Sequence, residues 1–236
     1  MVDFLGGFVD MHNHILPGID DGAKTVEESI ALIKGFSAIG IEKFIATPHM
    51  MHHYYPNDHE SIHSAREKVL DSLLSQGIEG ISLDIAAEHM IDDNFEFLLE
   101  QKKVMPIKNR YLLIEMSYLQ PPINFDQAVE KIPSHHYFPI LAHPERYSFL
   151  NQNSSKFTKF RNKGILLQLN LLSLGEYYGK DVQKKAHILL NKGLIDYLAS
   201  DIHNPQQLEY LKEIQVNDQQ LRLLLPIIEK TNHDFG

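Results

Sequence analysis

The chain has no cysteine among its 236 residues. That excludes disulfides, thiolate metal ligands and a cysteine nucleophile, and with them every phosphocysteine or thioester mechanism. Positive charge is also scarce: 22 Lys and Arg stand against 31 Asp and Glu, a formal net charge of −9. No Lys/Arg cluster overrides that sign, so attraction to nucleic acid or to an anionic membrane surface is disfavoured. Long apolar runs are missing as well. The greasiest stretch, residues 165–174, carries Gln168 and Asn170 and falls short of the ~20 apolar residues that span a bilayer. The first residues hold no basic stretch followed by an apolar one, so no secretory leader is expected. No Pro/Gly/Ser-rich linker, repeat or low-complexity segment divides the chain. These absences lead to the expectation of one soluble, cytoplasmic domain over residues 1–236, with no nucleic-acid partner and no direct membrane insertion.

What is present suffices for a substantial core, with 43% hydrophobic and 22% charged residues. Strand-like stretches near residues 8–11, 44–47, 83–86, 111–114, 139–142, 165–169 and 195–200 alternate with helix patterns. Thr25-Val-Glu-Glu28 reads as a capping box that opens a helix ending at Gly40. A second helix is expected from about Asn57, with Glu60 three residues on, to Gly77. Further helical patterns cover residues 95–101, 125–132, 156–162 and 181–191, and residues 205–230 read as one or two covering helices. Such alternation predicts an α/β fold with a parallel sheet closed, or nearly closed, into a barrel.

Metal-ligand residue types stand at the ends of successive apolar runs, in the order His12, His14, Asp21, His49, Glu88, Glu115, His143, Asp201 and His203. His12 and His14 are two residues apart, so at an extended strand end both project to one side and can chelate one ion. An isolated pair of this kind means little in a chain with 14 histidines. Asp201-Ile-His203 repeats the spacing after the last strand, and parallel barrels gather their strand ends at one face. Glu88 or Glu115 alone would read as a solvated loop carboxylate; their register with the histidines argues otherwise.

Together these segments resemble the polymerase and histidinol phosphatase (PHP) superfamily, over nearly the whole chain. The resemblance rests on Asp10-Met-His-Asn-His14-Ile-Leu-Pro-Gly-Ile-Asp-Asp-Gly22, Ala46-Thr-Pro-His49, Ala87-Glu88, Leu113-Ile-Glu115, Leu141-Ala-His-Pro-Glu-Arg-Tyr147 and Ser200-Asp-Ile-His-Asn204. Within the superfamily it is greatest to the metal-dependent tyrosine-protein phosphatases of bacterial capsule and exopolysaccharide loci. It implies a distorted (β/α)7 TIM-like barrel holding three divalent metal ions, Mn²⁺ first, with Fe or Zn²⁺ also suited to imidazole and carboxylate donors. It assigns His12, His14, Glu88 and Asp201 to one ion, Glu88, Glu115 and His143 to a second, and Asp21, His49 and His203 to the third. Three divalent ions over four ligand carboxylates leave a pocket of roughly +2, suited to a phosphate dianion.

Paired metals lower the pKa of a bridging water and neutralise charge on phosphoryl oxygens, which makes a metal-held hydroxide the expected nucleophile. Arg146 is the candidate bidentate clamp on phosphate; its plain alternative is a surface salt bridge with Glu145. A phenolate, with a free pKa of ~10, leaves with little help, and Asp201 or His203 is the candidate proton donor if one is needed. The implied partner is a phosphotyrosine protein, the tyrosine-rich tail of a bacterial autokinase. The competing readings are a histidinol-phosphatase-like phosphomonoesterase, a phosphodiesterase or nuclease disfavoured by the lack of a basic track, and a non-catalytic metal or phosphoprotein binder. Two rim segments, His52-His-Tyr-Tyr55 and Glu176-Tyr-Tyr-Gly179, are candidates for substrate stacking or a lid, against a plain reading as solvated loop. Asn170 is expected behind the ligands, while His59, His63, His135, His136, His187 and His233 are expected to be bystanders. Some relatives carry a second arginine shortly after the last Asp-x-His; Asn204-Pro-Gln-Gln-Leu208 has none.

Overall fold

The computed structural model describes residues 3–150 and 154–236. Every strand-like stretch forms a strand: β1 (Val9–Asp10), β2 (Lys43–Ala46), β5 (Ser82–Ile85), β7 (Tyr111–Glu115), β8 (Phe138–Ala142), β9 (Leu166–Asn170) and β10 (Tyr197–Ala199). Three short strands go beyond that reading: β3 (His49–Met51), β4 (Tyr55–Pro56) and β6 (Glu88–Met90). The helices are α1 (Val26–Ser37), α2 (His59–Ser75), α3 (Phe95–Glu100), α4 (Phe125–Lys131), α5 (Ser154–Asn162), α6 (Lys180–Asn191), α7 (Pro205–Glu213) and α8 (Asp218–Phe235).

Two caps differ from expectation. Thr25 does accept the Glu28 N–H, but the Glu28 carboxylate turns to the Lys24 N–H at 2.7 Å, so the box is not reciprocal. The second helix starts one residue later than Asn57 suggests, on a reciprocal box between Asp58 and Ser61. Asn57 instead donates its amide to the carbonyls of Ile19 and His49, tying the chain before α2 to the ends of two functional segments.

Pairing is parallel throughout, except that β4 folds back on β3. One sheet runs β1-β2-β5 and the other β10-β9-β8-β7-β6-β3-β4. The expected parallel α/β arrangement is therefore present, but its strands form two sheets and do not close into a continuous barrel. The interruptions fall at Thr47-Pro48 and Ala86-Ala87, where β2 passes into β3 and β5 into β6; proline has no N–H to give to a ladder. The carbonyls still connect across the break, with Ala86 N–H on Ala46 O and Glu88 N–H on Pro48 O. No ladder joins β10 to β1 among the described residues. That seam is held by Asp201 N–H on His12 O (2.8 Å), His14 N–H on Ile202 O (2.9 Å) and the Asp10 carboxylate, which accepts from both the backbone and hydroxyl of Ser200.

Side-chain alternation sorts the residues into two apolar layers. Leu112 and Ile114 of β7, Leu141 of β8 and Leu198 of β10 pack outward beneath the helices. Leu113, Ile140, Ala142, Tyr197 and Ala199 form an inner cluster with Val9, Met11 and Ile45. Phe235 of α8 plugs the lower end of that inner layer, its ring 5.3 Å from Tyr111 and 4.8 Å from Tyr197. Period-2 geometry then fixes the rest: Glu115 follows Leu113 on the inner face, and Gln168 and Asn170 share one face of β9. No helix among the described residues is long and apolar enough to cross a membrane.

His89, next to Glu88, faces the other way. It is fully buried, its Nδ1 3.0 Å from Leu113 O and its Nε2 accepting the Met105 N–H at 3.1 Å. Burial depresses its pKa to about 4. Because the folded state refuses a proton that the unfolded chain takes near pH 6.5, His89 contributes stability above that pH and loses it as pH falls toward 4. Urea unfolding of the wild type and of His89→Asn, from pH 7 to pH 4, is expected to show a stability gap that shrinks by about 3 kcal/mol. A gap independent of pH would contradict a neutral buried imidazole here.

Candidate metal centre

The nine candidate ligands gather at one edge of the strands. His12 and His14 follow β1 with Asp21 in the loop before α1, His49 follows β2 and opens β3, Glu88 follows β5 and opens β6, Glu115 closes β7, His143 follows β8, and Asp201 and His203 follow β10. Seven of them are buried; Asp21 is about half exposed at its side chain and His203 partly so. Donor atoms group in three sets, each within 4.8 Å: His12, His14, Glu88 and Asp201; His14, Asp21, His49 and His203; His49, Glu88 and Glu115. The first set is the one the resemblance implies. The other two differ in membership: His49 stands beside Glu88 and Glu115, and His14 joins the Asp21 set. His143 lies outside the three sets with Nε2 2.9 Å from Glu88 Oε1.

The spacing tests whether these residues suit a cation. His12 Nε2 is 3.2 Å from Asp201 Oδ1 and 3.3 Å from Glu88 Oε2; His14 Nε2 is 3.3 and 3.5 Å from the same oxygens, and 3.3 Å from His12 Nε2. Donors that share an ion at ~2.0–2.2 Å stand roughly 3–3.5 Å apart, whereas charge-assisted hydrogen bonds close to ~2.7–2.9 Å. The first set is spaced for an ion. Four buried atoms, His49 Nδ1, Glu88 Oε2, Glu115 Oε1 and His143 Nδ1, make no hydrogen bond although His49 Nδ1 lies 2.9 Å from Glu115 Oε1 and 3.1 Å from Glu88 Oε2. An unpaired buried polar atom costs about 1–3 kcal/mol, a cost that a divalent cation shared by His49, Glu88 and Glu115 would remove.

Outer partners aim the rings. His12 Nδ1 is held by Gln168 Oε1 at 2.9 Å and His14 Nδ1 by Asp20 Oδ2 at 2.8 Å. Each acceptor keeps the proton on Nδ1 and turns Nε2 toward the cluster. Asp20 also accepts the N–H groups of Gly22 and His49. Gly22 packs so closely on His14 that a Cβ would lie 2.0 Å from the His14 carbonyl oxygen, which is why the turn carries glycine there. His143 (φ 35°) and Asp201 (φ 52°) occupy left-handed backbone, a strain of roughly 1–3 kcal/mol each that the surrounding packing sustains.

Arg146 does not bridge to Glu145. Glu145 is buried and turned away, accepting from the Asn170 N–H and the Ser173 hydroxyl. Arg146 Nη1 meets Asp201 Oδ2 at 2.6 Å, and the guanidinium lies between two rings, 4.5 Å from Tyr118 and 4.2 Å from Tyr178. Asn170 completes this corner by donating to Asp201 Oδ2 (2.9 Å), with its amide 3.2 Å from Tyr178 Oη. Of the rim segments, Tyr178 thus braces Arg146, and Tyr55 stacks on His49 at 5.5 Å and 14°. Asn204 caps α7 and Pro205 starts it, so the segment lacking the second arginine serves as a helix start. His59, His63, His135, His136, His187 and His233 belong to none of the donor sets.

Three residues escaped the sequence reading: Asp20, Gln168 and Asp10. Asp20 was overlooked beside Asp21, the ligand type next to it. Gln168 has no local motif; its only signal is its place on the inner face of β9. Asp10, two residues before His12, serves the seam.

Protons stand in where cations are wanted. Burial opposes a charged imidazole at His12, yet the carboxylates of Glu88 and Asp201 override it and push the group up to about 10. Burial would raise Glu88 and Asp201, but His12 above all holds both well below the usual carboxylate range. Metal ligation needs a neutral imidazole, so loading must expel these protons. Calorimetric titration of the metal-free protein with Mn²⁺ at pH 7, in buffers of different ionisation enthalpy, is expected to show net release of at least one proton, with affinity falling as pH is lowered. Asp20→Asn is expected to weaken Mn²⁺ binding about 10–100-fold. Proton-neutral binding, or an Asp20 variant with unchanged affinity, would contradict this picture.

The geometry has relatives. The family model for capsular polysaccharide synthesis proteins CpsB/CapC matches residues 8–212. The putative tyrosine-protein phosphatase CapC of Staphylococcus aureus is 30% identical over 215 residues, 91% of this chain and 84% of that protein. Tyrosine-protein phosphatase YwqE of Bacillus subtilis (strain 168) is 29% identical over 197 residues, 83% and 77% of the two chains. A chain from the crystal structures of YwqE from Bacillus subtilis and CpsB from Streptococcus pneumoniae, metal-dependent tyrosine phosphatases, superposes with a TM-score of 0.81 at 26% identity, over 97% of this chain and 95% of the other. The lactonase Lmo2620 from Listeria monocytogenes shares the fold alone, with a TM-score of 0.57 at 10% identity. A parallel α/β frame is thus common ground, and this chain belongs to the CpsB/CapC family of capsular polysaccharide synthesis proteins.

Proposed function

We propose that this chain is a metal-dependent tyrosine-protein phosphatase, built on a distorted (β/α)7 barrel left open along the β1–β10 seam. The observation that carries the reading is one cavity of about 530 Å³ in which Asp21, His49, Glu115, Asp201 and His203 share the wall with Arg146 and with Tyr54, Tyr55 and Tyr118. Cation-binding donors, a phosphate-binding guanidinium and aromatic surface face the same space, as an aryl phosphate requires. Three divalent ions, Mn²⁺ first and Fe or Zn²⁺ as alternatives, suit this donor set. Such ions supply an activated water and neutralise phosphoryl charge.

The chain's own residues do the rest. His12, His14, Asp21, His49, Glu88, Glu115, His143, Asp201 and His203 hold the ions. Arg146, fixed between its two rings, presents its remaining N–H donors to the phosphoryl oxygens, a task suited to a planar fork. Tyr118 and Leu119 line the part of the cavity that would receive the substrate ring. Asp201 faces the imidazoles of His12, His14 and His203 and the Arg146 guanidinium, which keep it ionised, so it is a poor proton donor. His203, with Nδ1 2.9 Å from Asp201 O and its other nitrogen given to an ion, is no better placed, so a phenolate would leave without a side-chain acid. The substrate in the cell would be a phosphotyrosine protein, specifically the tyrosine-rich tail of a bacterial autokinase of capsule or exopolysaccharide synthesis.

Purified protein with Mn²⁺ is expected to release phosphate from a phosphotyrosine peptide, to lose this activity in EDTA and to regain it on re-metallation. Arg146→Ala is expected to lower kcat/KM by about 10²–10³-fold, the usual loss for one preorganised donor to a charged transition state. Arg146→Lys should restore only part, since it keeps the charge but not the fork. Hydrolysis of histidinol phosphate in preference to the peptide, or activity untouched by His143→Ala, would overturn the assignment.

A further inference from the structure

The loop after β7, Ser117-Tyr-Leu-Gln-Pro-Pro-Ile123, is anchored at one end and bare at the other. Tyr118 O accepts from the backbone N–H and the hydroxyl of Ser148, at 2.9 and 2.8 Å. The Tyr118 ring stacks on Tyr147 at 5.9 Å and covers Arg146. Beyond this anchor, Leu119 is 81% exposed and Ile123 wholly so, while Pro121 and Pro122 restrict the backbone between them. A single exposed aliphatic residue carries no message. Here, however, Ile123 stands with Ile91 and Pro121 on the wall of a second hollow of about 330 Å³, and Leu119 on the wall of the main cavity. Met90, Asp92 and Ser117 line both this hollow and the main cavity, so the two adjoin across these residues.

The geometry points to this trough as the seat of the polypeptide that flanks the phosphotyrosine, with an apolar substrate side chain against Ile91, Pro121 and Ile123. The inference rests on the phosphatase reading above. A phosphotyrosine within a protein brings its neighbours along at ~3.3–3.6 Å per residue, so flanking residues must cross the rim of the cavity. The rim at 117–123 offers them a fixed apolar surface joined to the site itself. Charge selects the occupant further. The Asp92 carboxylate is taken up by the N–H groups of His52 and Asn94, Asp93 beside it is 70% exposed at its side chain, and the whole chain is net negative. Acidic flanks are repelled and apolar ones accepted.

Ile123→Asp tests this at a position whose side chain supports no packing. Steady-state hydrolysis of p-nitrophenyl phosphate is compared with that of two phosphotyrosine peptides, one flanked by leucines and one by aspartates. The wild type is expected to favour the leucine peptide. The variant is expected to lose about tenfold or more in kcat/KM on that peptide, the worth of one buried aliphatic side chain, with p-nitrophenyl phosphate unchanged. Equal rates on the two peptides, or an equal loss on peptide and p-nitrophenyl phosphate, would overturn the inference while leaving the phosphatase reading intact. A wild-type dimer in sedimentation that Ile123→Asp dissociates, without any flank preference, would assign the lip to a second copy of the chain and overturn it likewise. Failure of the wild type on every substrate would overturn both readings.

Discussion

Three carboxylates and four imidazoles lie buried together at one edge of the strands, and the free energy of that arrangement dominates the molecule. An ion taken out of water costs several kcal/mol even after relaxation, unless something nearby repays it. Among the described residues the repayment comes from protonated imidazoles and, at Asp201, from Arg146 and Asn170, and it is incomplete, because His49 Nδ1, Glu88 Oε2, Glu115 Oε1 and His143 Nδ1 stay without hydrogen bonds. A divalent cation shared by His49, Glu88 and Glu115 would settle charge and geometry there together. The left-handed backbone at His143 and Asp201, the buried carboxylate of Asp20 and the close packing of Gly22 on His14 are understandable as the means of keeping that cluster in place.

The frame serves the same end. Parallel strands bring their C-terminal ends to one side, so residues distant in sequence, such as His12 and Asp201, become neighbours through hydrogen bonds across the seam. The inner layer below is apolar and closed by Phe235 and its aromatic contacts, which leaves the polar groups no direction but upward. On the open side, Arg146 is fixed by Asp201 and by two rings, and no second arginine stands in Asn204-Pro-Gln-Gln-Leu208. One braced guanidinium can hold two oxygens of an anion with little further loss of side-chain freedom.

Much of this was legible in the sequence because it depends on short-range rules. Apolar runs located the strands, and a ligand-type residue near the end of nearly every run located the site, since strand direction fixes which end is shared. The helix starts were less exact: the Glu28 carboxylate found the Lys24 N–H instead of its own box, and α2 began at Asp58 because Asn57 was drawn to Ile19 and His49. The breaks at Thr47-Pro48 and Ala86-Ala87 were hidden, as apolar pattern does not report where a ladder changes partners. Gln168 and Asp20 were missed for a related reason: residues that orient a ligand are chosen by three-dimensional reach and carry no spacing of their own. Which donors share which ion was equally beyond the sequence, because His14 and His49 each stand between two sets.

The most direct measurement is anomalous diffraction from crystals grown with Mn²⁺. The account calls for density bounded by His12, His14, Glu88 and Asp201, with ligand distances of about 2.0–2.4 Å, and for further density beside Glu115 and His49 and beside Asp21 and His203. Crystals saturated with Mn²⁺ that show no anomalous density among these residues, with the carboxylates instead closed into hydrogen bonds on protonated histidines, would contradict it.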